Sequence, residues 1–209
     1  MLLQSIKLEN FRQFKDEYIE FSTIKFKNVT IIFGENGTGK TTFAQAFFWC
    51  LYGEADFSDR NNLLNKSVEI DMIPGQDKKV EVQLKLKHGV NEYTIRRYQY
   101  YKKTNNRLTA DNSVLSVTRK SQDGETKALK KNPETEIRKI LPKELARYFF
   151  FDGDEDRAMS TNEIIELDSE QLLPEHQGLP VKILMICEEG DAERMEKIKE
   201  SPRFHCFLL

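Results

Sequence analysis

Hydrophobic and polar positions change period several times along the chain. Residues 3–8 alternate, residues 10–14 break the alternation and residues 18–21 resume it, which predicts strand, turn and strand. Residues 28–33 (Asn-Val-Thr-Ile-Ile-Phe) form a compact β-branched run of buried-strand length. From Thr41 to Tyr52 the spacing becomes helical, with Phe43, Ala44, Phe47, Phe48 and Leu51 on one face and Gly53 as the stop. After a polar stretch, residues 54–67, period two returns. Val80, Val82, Leu84 and Leu86 alternate with Glu81, Gln83, Lys85 and Lys87, and runs at 93–98 and 113–118 follow. Turn chemistry at 88–91 and 105–106 makes this an expected antiparallel meander with one solvated face. Pro-Glu-Thr-Glu from Pro133 suits the first turn of a helix reaching Ile140, and the apolar run 145–151 stops at Asp152. In the tail, residues 160–179 are polar and aperiodic. Residues 181–187 and 204–209 read as strands, with a helix over 191–199 between them.

Between the strand ending at Phe33 and the helix beginning at Thr41 lies Gly34-Glu35-Asn36-Gly37-Thr38-Gly39-Lys40-Thr41, a full G-x-x-x-x-G-K-[ST] phosphate loop in strand-to-helix context. Glycines at 34, 37 and 39 let backbone N–H groups converge on phosphate oxygens without a Cβ in the way. Lys40 is expected to reach the terminal phosphates, Thr41 to ligand Mg²⁺, and residues 34–42, including Asn36, Thr38 and Thr42, to hold ATP against the positive end of the helix.

Composition narrows the class. The chain has 209 residues, 32 % charged and 39 % hydrophobic, with 14 Phe and 7 Tyr, too aromatic for a disordered segment. No apolar run approaches the ~20 residues of a membrane span, and Cys50, Cys187 and Cys206 are too far apart for a Cys-based metal site. The expectation is a cytoplasmic protein with no membrane association. Net charge is −2, but this average conceals a division. Residues 78–147 hold 18 basic and 8 acidic side chains, whereas residues 158–209 hold 5 and 11. Within the basic region Tyr93, Arg96, Arg97, Tyr98, Tyr100, Tyr101, Lys102, Lys103 and Arg107 interleave aromatics with charge, a pattern that suits either DNA contact or the two faces of a half-buried strand.

Ile6-Lys7-Leu8-Glu9-Asn10-Phe11-Arg12, the strand 29–33 and the loop with Thr42 resemble the N-terminal lobe of SMC/SbcC-type ATPase heads, the ABC-like ATPases of DNA repair and chromosome maintenance. Residues 148–155 look most like the DndD-type branch, associated with phosphorothioate-dependent DNA restriction. The resemblance covers about residues 1–157. It implies an α/β P-loop NTPase fold, an ABC-ATPase-like head lobe with a mixed sheet and an antiparallel meander. Beyond it, the residue pattern itself predicts a 158–179 linker and a partial β-α-β unit at 180–209. The resemblance also implies that Arg12 lies near the nucleotide phosphates and that Asp152 takes part in catalysis at the loop sensing the γ-phosphate and Mg²⁺. ATP-dependent pairing with a partner protein or a second copy through the head is expected, with DNA contact through residues 78–147.

The family's hydrolytic parts are not plainly present. There is no S-G-G signature, and phosphoryl transfer depends on such positioning groups. Leu184-Met185-Ile186-Cys187-Glu188-Glu189 has four apolar residues before two acids, which would give Glu188 the Mg²⁺ role and Glu189 the catalytic one. Glu where Asp is usual, and the missing signature, favour instead the opening of another α/β unit. ATP hydrolysis is therefore expected only with a complementary subunit or lobe. The alternative expectation is a catalytically incomplete interaction fragment or truncated product that docks a partner.

Overall fold

The opening alternation folds as a hairpin in the computed structural model, which describes residues 1–23, 29–34, 37–57, 62–105, 107–146, 184–188 and 204–208. Strands β1 (Leu2–Phe11) and β2 (Phe14–Glu20) pair antiparallel, with Ile6 opposite Ile19 and Phe11 opposite Phe14. The turn is only Arg12-Gln13, shorter than the five-residue break in the pattern. β3 (Val29–Gly34) runs into the phosphate loop, and α1 (Lys40–Tyr52) leaves it. α1 stops at Gly53, whose N–H donates to the Trp49 carbonyl oxygen at 2.9 Å.

A short helix that periodicity did not predict, α2 (Lys66–Asp71), begins at the end of the polar stretch. Its cap is legible once located: the Asn65 side chain accepts from the N–H groups of Ser67 and Val68 at 3.0 and 3.3 Å. The meander follows as β4 (Asp77–His88), β5 (Asn91–Thr104), β6 (Arg107–Ala110), β7 (Val114–Lys120) and β8 (Thr126–Ala128). It joins the hairpin through β1 and β4 in one sheet ordered β2-β1-β4-β5-β7-β8, with β6 on the end of β5. The helices α3 (Pro133–Ile140) and α4 (Lys143–Ala146) come next.

The alternation along β4 decides which face of this sheet is buried. Val80, Val82, Leu84 and Leu86 are at most 1 % exposed and face α1, together with Ile6, Leu8 and Ile95. From the helix, Phe43, Ala46, Phe47 and Cys50 are fully buried against them. The Cys50 thiol donates to the Val82 carbonyl oxygen at 3.3 Å, and burial pushes its pKa up to about 12, so it stays a neutral thiol in the core.

The basic strand β5 divides by the same alternation. Tyr93, Arg97 and Tyr101 are buried, so these three members of the aromatic and basic series are not on a surface that could track DNA. Arg97 instead crosses to the end of α1. Its Nε donates to the Cys50 carbonyl oxygen at 3.1 Å and its guanidinium lies beside Gly53. It thereby supplies a cation to a helix whose own last turn has no basic residue. Burial lowers its pKa, with the helix end and Ser113 as its polar surroundings. On the outer face, Arg96 donates two 2.8 Å hydrogen bonds to Glu81, and Lys79 bridges Glu81 and Glu9 at 2.9 and 3.2 Å. Burial alone would raise the Glu81 pKa. The donors from Arg96 and Lys79 outweigh it and hold the carboxylate below its ordinary range.

The two tail strands, β9 (Leu184–Glu188) and β10 (Phe204–Leu208), do not pair with each other. Both run parallel to β3, one on each side, giving a second sheet ordered β10-β3-β9. The expected helix over 191–199, the 158–179 linker and the 147–157 segment with Asp152 lie outside the described residues.

Candidate nucleotide site

A β-branched strand, three glycines and a helix with its N-terminus bare of acid build this site. Gly37 and Gly39 hold φ at +88° and +112°, in the left-handed region where side chains are disfavoured. Gly39 caps α1 with no side-chain hydrogen bond, and the first helical bond runs from the Phe43 N–H to the Gly39 carbonyl oxygen at 2.7 Å. Gly39 has no side chain with which to occupy the amides of the first turn. With Lys40, Thr41 and Thr42 as that turn and no carboxylate in it, the local field favours an anion. Lys40 and Thr42 are each only 8 % exposed, so the lysine is partly desolvated, whereas Gly37 and Thr41 face solvent. These residues could hold the phosphates of a nucleotide, and the Thr41 hydroxyl could ligand a magnesium ion beside them.

The structure brings Gly34, Gly37, Thr38, Gly39, Lys40, Thr41 and Thr42 together as one strand-loop-helix unit. Asn36 and Asp152 lie outside the described residues. Arg12 sits in the β1-β2 turn at φ +53°, with its guanidinium 4.4 Å from the centre of the Phe57 ring and its Nη1 donating to the Asn62 carbonyl oxygen at 2.7 Å. It is Arg12's neighbour that meets the loop. A Cβ placed on Gly39 would fall on the Gln13 carboxamide and lie 3.0 Å from Cζ of Phe14. Gln13 was not singled out from sequence; its only signal there is adjacency to Arg12.

This close approach makes Gly39→Ala a sharp test. The substitution adds left-handed strain and a tight 3.0 Å contact with the buried Phe14 ring, while the exposed Gln13 end must swing aside, and should cost about 1–3 kcal/mol in urea unfolding. Gly37→Ala, whose Cβ would meet nothing within 4 Å, should cost less because only the φ strain remains. Equal losses for the two variants would show that the Gly39 contact is not tight.

A second arrangement was undervalued by sequence reasoning. β9 is hydrogen-bonded directly to β3, and in their ladder Glu188 stands opposite Gly34, the first glycine of the loop. The run with Glu188 at its end therefore belongs to the sheet that carries the phosphate loop, rather than opening a sheet of its own. Among the described residues, no helix is long and apolar enough to cross a membrane.

A family model described as an AAA domain matches residues 5–201. Among curated proteins, the DNA replication and repair protein RecF of Acetivibrio thermocellus is 37 % identical over 95 residues, covering 46 % of this chain and 23 % of that protein. The DNA double-strand break repair Rad50 ATPase of Thermoplasma acidophilum is 31 % identical over 129 residues, covering 62 % of this chain and 11 % of that one. The chain therefore spans between about a tenth and a quarter of the length of these relatives. Among solved structures, the Smc head domain with a coiled coil and joint from Pyrococcus yayanosii aligns at TM-score 0.39 and 18 % identity, covering 78 % of this chain and 29 % of that one. The recombination mediator RecF-ATP aligns at TM-score 0.36 and 19 % identity, covering 60 % and 27 %. With the family model spanning almost the whole sequence around a complete phosphate loop, the chain belongs to the AAA domain family.

Proposed function

We propose that this chain binds Mg·ATP through residues 34–42 and serves as the nucleotide-responsive head lobe of a DNA-repair ATPase. The observation that carries this reading is the phosphate loop, held between β3 and α1 with left-handed glycines and an acid-free first helical turn. The RecF and Rad50 relatives support the DNA-repair setting. The backbone ladder sets Glu188 level with Gly34 at the end of β9, next to the start of the loop. Phosphoryl transfer depends on positioning groups around the γ-phosphate, and we assign those beyond the loop to a partner surface brought to this head. DNA contact is left to the solvent-facing part of the meander, because Arg97 is buried and Arg96 is neutralised by Glu81.

Calorimetric titration with Mg·ATP, alongside a turnover assay and solution mass, tests the proposal. The expected result is saturable binding that requires Mg²⁺, with hydrolysis far below the ~1–100 s⁻¹ typical of efficient phosphoryl-transfer enzymes such as kinases. No heat of binding would overturn it.

A further inference from the structure

The β1-β2 turn is unusually constrained for a two-residue connection. Asn10 and Arg12 flank Phe11, both with left-handed backbone at φ +54° and +53°. Asparagine tolerates this region, whereas arginine holds it only where its surroundings offset the cost. Those surroundings are on view. The Asn10 Nδ2 donates to the Lys79 carbonyl oxygen at 2.9 Å, and the Asn65 N–H donates to the Asn10 carbonyl oxygen at 2.9 Å. The Arg12 N–H donates to the Leu63 carbonyl oxygen at 2.8 Å. The Arg12 guanidinium is drawn toward Phe57 and Asn62, and Phe14 is buried against Phe43. What this braced turn presents to the phosphate loop is Gln13. Its carboxamide lies against Gly39, one residue before Lys40, yet the side chain is exposed and makes no hydrogen bond within the described residues.

We propose that Gln13 is a nucleotide-contacting residue whose carboxamide donates to a phosphate oxygen of the nucleoside di- or triphosphate held by the loop. The inference rests on the nucleotide reading above. A carboxamide has two N–H donors and no charge, so it adds a directional donor beside Lys40 without competing for the lysine's ion pairing.

Those donors define the experiment. Gln13→Met keeps the length and the contact with Gly39 but removes the donors, and Gln13→Glu keeps the shape while turning a carboxylate toward the phosphates. Affinities for Mg·ATP and Mg·ADP are measured by calorimetry on the full chain, with apo melting temperatures alongside. Gln13→Met should bind about 5-fold more weakly, the loss of one neutral hydrogen bond. Gln13→Glu should bind at least about 10-fold more weakly, with part of the loss relieved as ionic strength rises. Both apo proteins should melt as the wild type does. Wild-type affinity in Gln13→Met, with binding still lost in Lys40→Ala, would overturn the Gln13 role alone and leave the site standing. Absence of binding in the wild type would overturn both readings.

Discussion

Replacing Lys40 with alanine is expected to weaken Mg·ATP binding by about 100-fold, and by no less than about 30-fold, and to leave the fold intact. The lysine is 8 % exposed at the first position of α1, so a phosphate brought to it exchanges less water than at an open surface. Truncating one partner of a hydrogen-bonded, partly desolvated charge pair costs roughly 2–5 kcal/mol, and about 2.7 kcal/mol is already 100-fold. The same difference should appear as a melting shift. At a ligand concentration 100 times its dissociation constant, a wild-type site gains about 2.7 kcal/mol by mass action. For a chain of this size that is roughly 5–10 °C, and Lys40→Ala should show almost none of it. Lys40→Arg should not restore wild-type binding, since a planar fork does not replace a compact ammonium in a loop shaped around one. Tight binding by Lys40→Ala would move the nucleotide to another site and remove the basis of the proposed function.

How far the sequence revealed this site depends on the range of the signals that build it. The phosphate loop, its strand and its helix are local, and the change from period two to helical spacing marks them. The meander was equally legible because its inward positions alternate without a break along β4. What local pattern could not carry was pairing partners. Residues 181–187 and 204–209 read as strands, but only the folded chain shows that β9 and β10 both flank β3 and set Glu188 opposite Gly34. The division of the basic region was also hidden. Arg97 alternates in step with Tyr93, Ile95 and Tyr101 on the buried face, but a charge at such a position argues for solvent until its partner, the end of α1, is known. Gln13 illustrates the same limit at shorter range. Its place over Gly39 follows from two left-handed residues in a turn that composition marks only as a break.

The largest stability effect is expected from Phe43→Ala, and its consequences should extend to the nucleotide. Phe43 is fully buried one turn into α1. Its ring meets Phe47 edge-on at 5.3 Å and Phe14 edge-on at 6.2 Å between centroids. Removing a buried phenylalanine side chain costs about 3–5 kcal/mol, the transfer term plus the cavity left behind. Against a domain stability of roughly 5–15 kcal/mol, the variant should fold but melt about 6–20 °C lower. Phe47→Ala should lose a similar amount, because Phe47 is also fully buried, between Phe43 and Phe21 at 6.2 Å. The two differ in what they support. Phe14, braced by Phe43, is the ring whose Cζ would lie 3.0 Å from a Cβ on Gly39. Emptying the Phe43 site therefore slackens the β1-β2 turn and the loop above it, while emptying the Phe47 site slackens the helix one turn further on. Measured well below both melting temperatures, Mg·ATP affinity should fall several-fold in Phe43→Ala and stay near wild type in Phe47→Ala. Equal affinities would mean that the loop keeps its shape without the aromatic stack. A stability loss under about 1 kcal/mol in Phe43→Ala would mean that the stack is not packed as described.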